Sequence, residues 1–138
     1  MKVENAVIPP MPQIMEFFGA PEDGPFVMVN LLKFKDRAEY EDGSDTHLTG
    51  REAYARYGEG VRLLVEALGG RIRYEGDVTG LLLGEVEELW DMVALAEYPS
   101  LAAFREMAVS PGMQAIEHHR KAGLAGQLNI RTRPGGPG

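Results

Sequence analysis

The stretch from Pro25 to Lys35 constrains the fold of this chain more than any other. It reads PFVMVNLLKFK, an apolar run rich in β-branched and large side chains, with Gly24 before it and a charged loop after it. A run of this kind, bounded by turn residues, is typical of a central β-strand. Because side chains alternate between the two faces of a strand, the uncharged polar residue Asn30 shares a face with Phe26 and Met28. The pattern predicts a sheet in which a single amide lies among large apolar side chains.

A long amphipathic helix is predicted after this strand. Thr49 and Glu52 have the spacing of a capping box, in which the Thr hydroxyl and the Glu carboxylate accept hydrogen bonds from backbone N–H groups at a helix start. Apolar residues then recur at three- and four-residue steps along one face, and they are Tyr54, Tyr57, Val61, Leu64 and Leu68. Gly69-Gly70 ends the helix. Because the apolar residues lie on one face, that face is expected to pack against the sheet.

Strand and helix patterns alternate through the rest of the chain. Residues 71–83 resemble a strand interrupted by glycines, as a bulged strand would be, and residues 90–98 form a third strand pattern. Ser100 and Ser110 each have the position of a helix N-cap, and residues 124–131 alternate as a half-buried strand does. The order strand, helix, strand, strand, helices, strand predicts an α+β fold, the ferredoxin-like βαββαβ arrangement with an antiparallel four-stranded sheet.

The chain divides into three segments in this interpretation. Residues 1–24 form an N-terminal extension with a short helix at about 11–18, which is too short to be stable unless it docks on the rest of the chain. Residues 25–131 form the ferredoxin-like α+β domain. Residues 132–138 are rich in Pro and Gly and are predicted to be a flexible tail.

The helices of such a fold cover only one face of the sheet, and both faces here are apolar. We expect the small branched residues on the helix side, namely Val27, Val29 and Leu31 with Val93 and Leu95. The opposite face then carries Phe26, Met28, Asn30, Leu32, Trp90, Met92, Ala94 and Tyr98. Because a face that apolar is unstable in water, the sequence predicts a symmetric homodimer in which a second copy covers it.

Charge and composition exclude several classes of function. With 14 basic and 21 acidic residues the formal charge is −7, which argues against nonspecific binding to nucleic acid or to an anionic membrane. The absence of cysteine excludes disulfides, a thiolate nucleophile and Cys-ligated metals. No apolar run approaches the ~20 residues of a membrane span, and the first residues lack the organisation of a signal peptide, so the expected location is the cytoplasm.

A small-molecule pocket is the leading hypothesis for a site. Asn30 and Trp90, with Gln127 or Asn129, have the character of polar groups in a mostly apolar pocket, whose walls would include Met28 and Met92. The alternative is that the Asn30 amide only satisfies backbone groups or a partner side chain in a packed core.

Arg120 is the second candidate. On the predicted helix it points the same way as Met113 and Ile116, by their spacing of seven and four residues. An inward guanidinium could bind a substrate carboxylate through two parallel hydrogen bonds. The alternative is an internal salt bridge or a clamp on backbone carbonyl groups.

The remaining candidates give weaker predictions. His118 and His119 are adjacent and point to different sides of the helix, so they cannot chelate a metal together; either could act as a base or haem ligand, or simply be solvated. Arg71 and Arg73 could contact an anion at the sheet edge or only protect that edge from aggregation. No phosphate-binding glycine motif, nucleophile elbow or metal signature is present, so no metal and no cofactor are expected.

Several separated motifs carry a resemblance to a known family. They are MVNLLKF at 28–34, GREAYARY at 50–57, Trp90-Asp91, EYPS at 97–100 and RKAGL at 120–124. Together, over about residues 25–131, they resemble the domain-of-unknown-function 1330 family. The resemblance implies membership of the dimeric α+β barrel superfamily, which includes cofactor-independent monooxygenases, small lactone or muconolactone isomerases, haem-binding enzymes and stress-responsive proteins. Resemblance in fold does not choose among these activities.

Three functions follow as hypotheses. The first is a homodimer that binds a small organic molecule in an apolar cleft. The second is a cofactor-independent monooxygenase or isomerase of an aromatic or carbonyl substrate, in which Asn30 polarises an oxygen and Arg120 or His118 orients the substrate. The third is a non-catalytic structural dimer, which differs from the others in having no cavity between Asn30 and Trp90.

Overall fold

The computed structural model describes residues 1–22 and 24–135 and contains one antiparallel sheet of four strands. The strands are β1 (Phe26–Phe34), β2 (Arg71–Asp77), β3 (Met92–Tyr98) and β4 (Leu124–Thr132). The helices are α1 (Met11–Gly19), α2 (Gly50–Ala67), α3 (Leu101–Ala108) and α4 (Pro111–Gly123). The strand order is β2-β3-β1-β4, with β1 and β3 in the middle. The predicted α+β, ferredoxin-like fold is confirmed.

The boundaries of β2 and β3 differ from the prediction. Strand β2 ends at Asp77 rather than at Leu83, and β3 begins at Met92 rather than at Trp90. Residues 78–91 form a loop instead. The predicted irregularity of β2 is confirmed as a shift of register between Ile72 and Tyr74.

The helix starts are formed as their sequences predict. Thr49 Oγ1 accepts a hydrogen bond from the Glu52 N–H at 3.1 Å, and Glu52 Oε1 accepts one from the Thr49 N–H at 2.9 Å, which completes the capping box of α2. The hydroxyls of Ser100 and Ser110 cap α3 and α4 in the same way. Each such cap stabilises its helix by about 1 kcal/mol, so the positions of these helices are encoded locally.

The predicted assignment of sheet faces was wrong. Phe26, Met28 and Tyr98 are buried and pack with helix residues such as Val65 and Met107. The helices therefore cover the face of β1 that carries the larger side chains and Asn30. Near α1 and α3, the space between helices and sheet is filled by four aromatic rings with centroids 4.7 to 6.4 Å apart, those of Phe17, Phe26, Tyr98 and Phe104. Small branched side chains would not fill that space at the packing density of a protein interior.

The opposite side of the sheet, here called the open face, is largely apolar, and no helix of the described residues lies over it. Across the strands, Val29 lies between Leu95 and Ile130, and Leu31 lies between Val93 and Leu128. These six residues and Val27 form the apolar centre of the open face, and none of the seven is buried within the described part of the chain.

The N-terminal extension docks on the same core. Phe17 and Phe18 of α1 pack against the buried cluster, with the rings of Phe17 and Phe104 5.6 Å apart. The Glu22 carboxylate accepts hydrogen bonds from the N–H groups of Leu101 and Ala102, both at 2.9 Å. These backbone donors lower the pKa of Glu22 and fasten the extension to the start of α3.

The end of the chain is described only in part. Thr132 is the last residue of β4, and residues 136–138 of the predicted tail 132–138 lie outside the described residues. None of the helices in residues 1–22 and 24–135 is long and apolar enough to cross a membrane.

Candidate functional site

A chain of hydrogen bonds connects Asn30 at the centre of the sheet with Arg120 on α4. Asn30 Nδ2 donates to the carbonyl oxygen of Ala94 at 3.2 Å, across the β1–β3 pair. Gln127 Nε2 donates to Asn30 Oδ1 at 2.8 Å, and Arg120 Nη2 donates to Gln127 Oε1 at 2.8 Å. Of the two alternatives Gln127 and Asn129, Gln127 is the residue whose side chain reaches Asn30.

Arg120 has further partners inside the chain. Its Nη1 donates to Glu117 Oε1 at 2.9 Å, one turn earlier on α4, and its Nη2 donates to the carbonyl oxygen of Val7 at 2.6 Å. Only 15% of the Arg120 side chain is exposed. Glu117, Arg120, Gln127 and Asn30 are called the polar chain below. Hydrogen bonds from a charged group are stronger than neutral ones, so the polar chain holds α4, β4 and β1 together.

Two tyrosines on the helix-covered side of the sheet, Tyr54 and Tyr57, lie near Arg120 of the polar chain, and a third, Tyr98, lies near Tyr57. The rings of Tyr54 and Tyr57 on α2 are 5.4 Å apart. Both tyrosines lie close enough to Arg120 for its positive charge to oppose the rise in pKa that burial causes. Burial raises the pKa of Tyr98, and the neighbouring Tyr57 adds to this rise. The two α2 tyrosines occupy the inward helical face that their spacing predicts, and Tyr98 ends β3 under the helices.

The hydroxyl groups of these tyrosines are not used by the fold. Among the described residues, the hydroxyls of Tyr54, Tyr57 and Tyr98 make no hydrogen bond. In the same residues, every side-chain nitrogen or oxygen that is fully buried has a hydrogen-bond partner, so these three hydroxyls are not fully buried. Each of these hydroxyls is therefore in contact with solvent, at least in part. The region bounded by the three tyrosines and the polar chain is called the tyrosine crevice.

The tyrosines of the crevice remain protonated at physiological pH. Burial, followed by the neighbouring Glu117 carboxylate, raises the pKa of Tyr57 to about 12, while the charge of Arg120 opposes the shift. Burial also raises the pKa values of Tyr54 and Tyr98. Neutral phenol groups can donate and accept hydrogen bonds. With Arg120 beside them they can bind an oxygen atom that carries negative charge.

A family model and two solved structures match most of the chain. The model of the Domain of unknown function (DUF1330) matches residues 44–131. The chain belongs to the DUF1330 family. It is 38% identical to the methylated RPA0582 protein, covering 97% of this chain and 98% of that one, with a TM-score of 0.88. The RPA0582 protein of unknown function from Rhodopseudomonas palustris is 36% identical, covers 97% of this chain and 100% of its own, and has a TM-score of 0.87.

More distant structures share the fold alone. A dimeric protein of unknown function with a ferredoxin-like fold from Bacteroides fragilis is 14% identical, with a TM-score of 0.50 over 78% of this chain and 94% of that one. None of the curated proteins compared matches the chain. The resemblance to the DUF1330 family, drawn from separated motifs, is confirmed, although the family model begins at residue 44 and so does not include β1.

The other predicted site residues of this DUF1330 chain do not join the polar chain. Met28 is 3% exposed and belongs to the main core, and Met92 packs against a second buried cluster around Leu32. The indole N–H of Trp90 donates to Asn5 Oδ1 at 2.7 Å. The structure therefore brings together Asn30 and Arg120, with Met28 on the same side of the sheet, and leaves Trp90 outside the crevice.

The histidines occupy the outer side of α4. His118 is exposed, and its ring centroid is 3.9 Å from that of His119. His119 Nδ1 lies 2.7 Å from the Tyr40 hydroxyl, and burial, followed by the charges of His118 and Arg56, lowers the pKa of His119. No group of three or more His, Asp or Glu residues in the described part of the chain is arranged to hold a metal ion.

The two arginines at the sheet edge and Asp91, the residue after Trp90, have structural partners. Arg71 and Arg73 donate to the Glu97 carboxylate at 3.1 and 3.4 Å. Asp91 accepts a hydrogen bond from the Phe34 N–H at 2.8 Å and pairs with Lys33 at 3.5 Å, so it joins the loop before β3 to the end of β1.

The helical spacing of Tyr54 and Tyr57 predicts that both lie in the core, and it does not mark their hydroxyls as part of a site. A signal was present, since two phenols on the inward face of α2 require hydrogen-bond partners when buried, and none was assigned. Tyr98 was assigned to the face of the sheet away from the helices, so it was not recognised as a neighbour of Tyr57.

Proposed function

We propose that this protein is a homodimer in which each subunit binds a small organic molecule in the tyrosine crevice. The observation that carries the proposal is the group of three tyrosine hydroxyls without hydrogen-bond partners in the described part of the chain, beside the partly buried Arg120. Small-molecule sites are typically mostly apolar and have a few polar groups that fix orientation.

The dimer half of the proposal comes from the open face. The seven residues at its centre are all apolar, and a soluble protein rarely leaves a continuous apolar patch of this kind in water. The Bacteroides fragilis neighbour and a neighbour from Thermobifida fusca are both described as dimeric, and both share this fold. A second copy packed through its own open face buries the patch on both subunits.

The expected ligand has an apolar body and one carbonyl or carboxylate group. Aromatic side chains supply the apolar walls, and Arg120 with the tyrosine hydroxyls can bind the oxygen atoms. The alternative of a cofactor-independent monooxygenase or isomerase uses the same crevice and requires turnover in addition to binding.

The non-catalytic structural dimer is favoured by a different observation. Asn30 and Arg120 each have internal partners for their side-chain groups, as the packed-core interpretation of both residues expects. In that account the polar chain only fixes the position of α4, and no small molecule raises the melting temperature.

A screen by thermal shift distinguishes these accounts. Benzoate and other aromatic carboxylates are compared with the corresponding neutral esters, and a ligand that stabilises the wild type is measured again with Tyr57→Phe. We expect affinity to fall about tenfold because one hydrogen bond to an anion is lost. The matched control is Tyr40→Phe, which removes a hydroxyl that lies 2.7 Å from His119 Nδ1 on the outer side of α4 and should leave affinity unchanged. Equal affinity of wild type and Tyr57→Phe would place the ligand outside the crevice.

A further inference from the structure

The loop between β2 and β3 exposes three consecutive leucines. Leu81, Leu82 and Leu83 are 50%, 102% and 88% exposed. The loop is closed at its base by a hydrogen bond from the Val78 N–H to the Asp91 carbonyl at 2.9 Å, and every residue from 79 to 88 is exposed. Loops this long are usually functional when they lie within a compact domain, and adjacent large apolar side chains in water indicate a contact surface.

We propose that this loop is an arm that packs its leucines against a second copy of the chain, at the start of the partner's β4. The proposal rests on the homodimer proposed above and adds a second contact area to it.

The register of the sheet points to that place on the partner. Asp77 of β2 lies opposite Met92, Met92 lies opposite Leu32, and Leu32 lies opposite Gln127, so the end of β2 and the start of β4 are at the same end of the sheet. Strands β2 and β4 are the two edges. If the open faces pack so that each β2 lies beside the β4 of the other copy, the two sheets close into a barrel and lose their free edges. The arm that leaves Asp77 then meets the start of the other copy's β4.

The second half of the loop is held on the side of the open face. The Lys33 Nζ donates to the carbonyl oxygen of Leu89 at 3.1 Å, and Lys33 shares its side of β1 with Leu31 and Val29. The arm therefore starts from the surface that the second copy is proposed to cover, and not from the helix-covered side.

Charge complementarity supports the same contact. The arm continues into Glu85, Glu87 and Glu88, which are exposed and form no ion pair with any described residue. At the start of β4, the Lys35 N–H donates to the Gly123 carbonyl at 2.8 Å, and Lys35 Nζ lies 3.4 Å from the carbonyl oxygen of Lys121. Lys121 is exposed and has no ion pair within the described residues. The acidic part of the arm can thus lie beside two lysines of the other copy, at the rim of the apolar contact.

The dissociation constant of the dimer tests the role of the leucines. In sedimentation equilibrium, the double substitution Leu82→Ser with Leu83→Ser should raise the dissociation constant at least about tenfold, because two large apolar side chains per subunit lose their contact with the other copy. The matched control is Leu63→Ser, which changes a leucine that is 65% exposed on α2 and should leave the constant unchanged. An unchanged constant for the double variant, or an equal rise for Leu63→Ser, overturns the arm.

A cross-linking experiment tests where the arm lies. The chain has no native cysteine, so a mixture of Leu82→Cys and Ala125→Cys subunits should give a disulfide-linked heterodimer on oxidation, since Ala125 is exposed at the start of β4. A mixture of Leu63→Cys and Ala125→Cys serves as the control and should give none. Linkage only between two Leu82→Cys subunits would contradict the β4 contact.

The substitution Leu95→Lys separates this proposal from the dimer itself. If the wild type sediments as a monomer, both proposals fail. If the wild type is a dimer that Leu95→Lys dissociates and the leucine variants do not weaken, the arm alone fails.

Discussion

The two faces of the sheet are both apolar, yet they are built from side chains of different size and they meet different environments. The helix-covered face carries Phe26, Met28 and Tyr98, each no more than 5% exposed, and it also holds the polar chain. The open face carries valines, leucines and one isoleucine, and nothing in the described chain buries them. The difference shows that an apolar face of a sheet need not be buried by the helices of the same chain, because a second copy can cover it instead.

The location of the polar groups separates the faces more clearly than the apolar groups do. A buried amide requires hydrogen-bond partners, and Asn30 finds them because β4 and α4 bring Gln127 and Arg120 to the same side. On the open face, the charged residues Lys33 and Glu97 lie at opposite ends of the sheet. The centre of the open face is thus free of charge, as the core of a protein–protein interface usually is.

Neighbouring residues on β3 offer the most severe comparison of the two faces. Ala96 is 5% exposed on the helix-covered face, and Ala96→Lys would bury a charge without a partner. We expect a loss comparable with the whole free energy of unfolding, roughly 5 kcal/mol or more, and so no cooperative transition in urea. Leu95→Lys changes the next residue on the open face and should keep its circular dichroism spectrum. A folded Ala96→Lys variant would reverse the assignment of faces.

A truncation on each face of β1 should give the next largest difference. Phe26 is 1% exposed and contacts three other rings, so Phe26→Ala should lower the free energy of unfolding by about 3–5 kcal/mol. Val27→Ala should cost less than about 1 kcal/mol when both are measured in the Leu95→Lys background, where no second copy covers the open face. Similar costs at the two positions would mean that both faces are buried within one chain.

The polar chain provides a comparison within α4. Arg120→Ala removes the partners of Gln127 Oε1 and of the Val7 carbonyl and should cost about 2 kcal/mol, a value that allows for partial exposure to solvent. Lys121→Ala, on the exposed side of the same helix, should change the free energy of unfolding by less than about 0.5 kcal/mol. Urea titration of both variants measures the difference, and equal values would show that the polar chain adds no stability.

The smallest expected effect concerns the attachment of the N-terminal extension. Backbone N–H donors lower the folded-state pKa of Glu22 below its ordinary value of 4.5, so the ionised carboxylate stabilises the fold above that pH. This contribution disappears as the pH falls through the lowered pKa. The melting temperature of wild type should therefore exceed that of Glu22→Gln at pH 7, and the gap should close as the pH falls through the lowered pKa. Glu16→Gln, an exposed position on α1, is the control, and a gap for Glu22→Gln that does not depend on pH would refute the assignment.

Local patterns predicted the elements of the fold, because caps and periodicity act within a few residues. The Thr49 capping box, the Ser100 and Ser110 caps and the inward spacing of Tyr54 and Tyr57 are all seen in the structure. The extents of β2 and β3 were overestimated, because residues 78–83 and 90–91 are apolar enough to resemble strand but pair with no neighbouring strand in the described chain.

Pairings between distant residues were harder to predict. The spacing on α4 showed that Arg120 points inward, and the single polar residue in β1 marked Asn30. Their connection depends on Gln127, which reaches Asn30 only through the register of β4 against β1. The choice of sheet face could not be made from alternation alone, because alternation states which residues share a face and not which face the helices cover.

Sedimentation of the wild-type chain at micromolar concentration, with Leu95→Lys beside it, is the most direct test of the central claim that a second copy covers the open face. The account predicts a particle of twice 15.2 kDa for the wild type and a folded particle of 15.2 kDa for the variant. A wild-type chain that remains a 15.2 kDa monomer across this concentration range would contradict it.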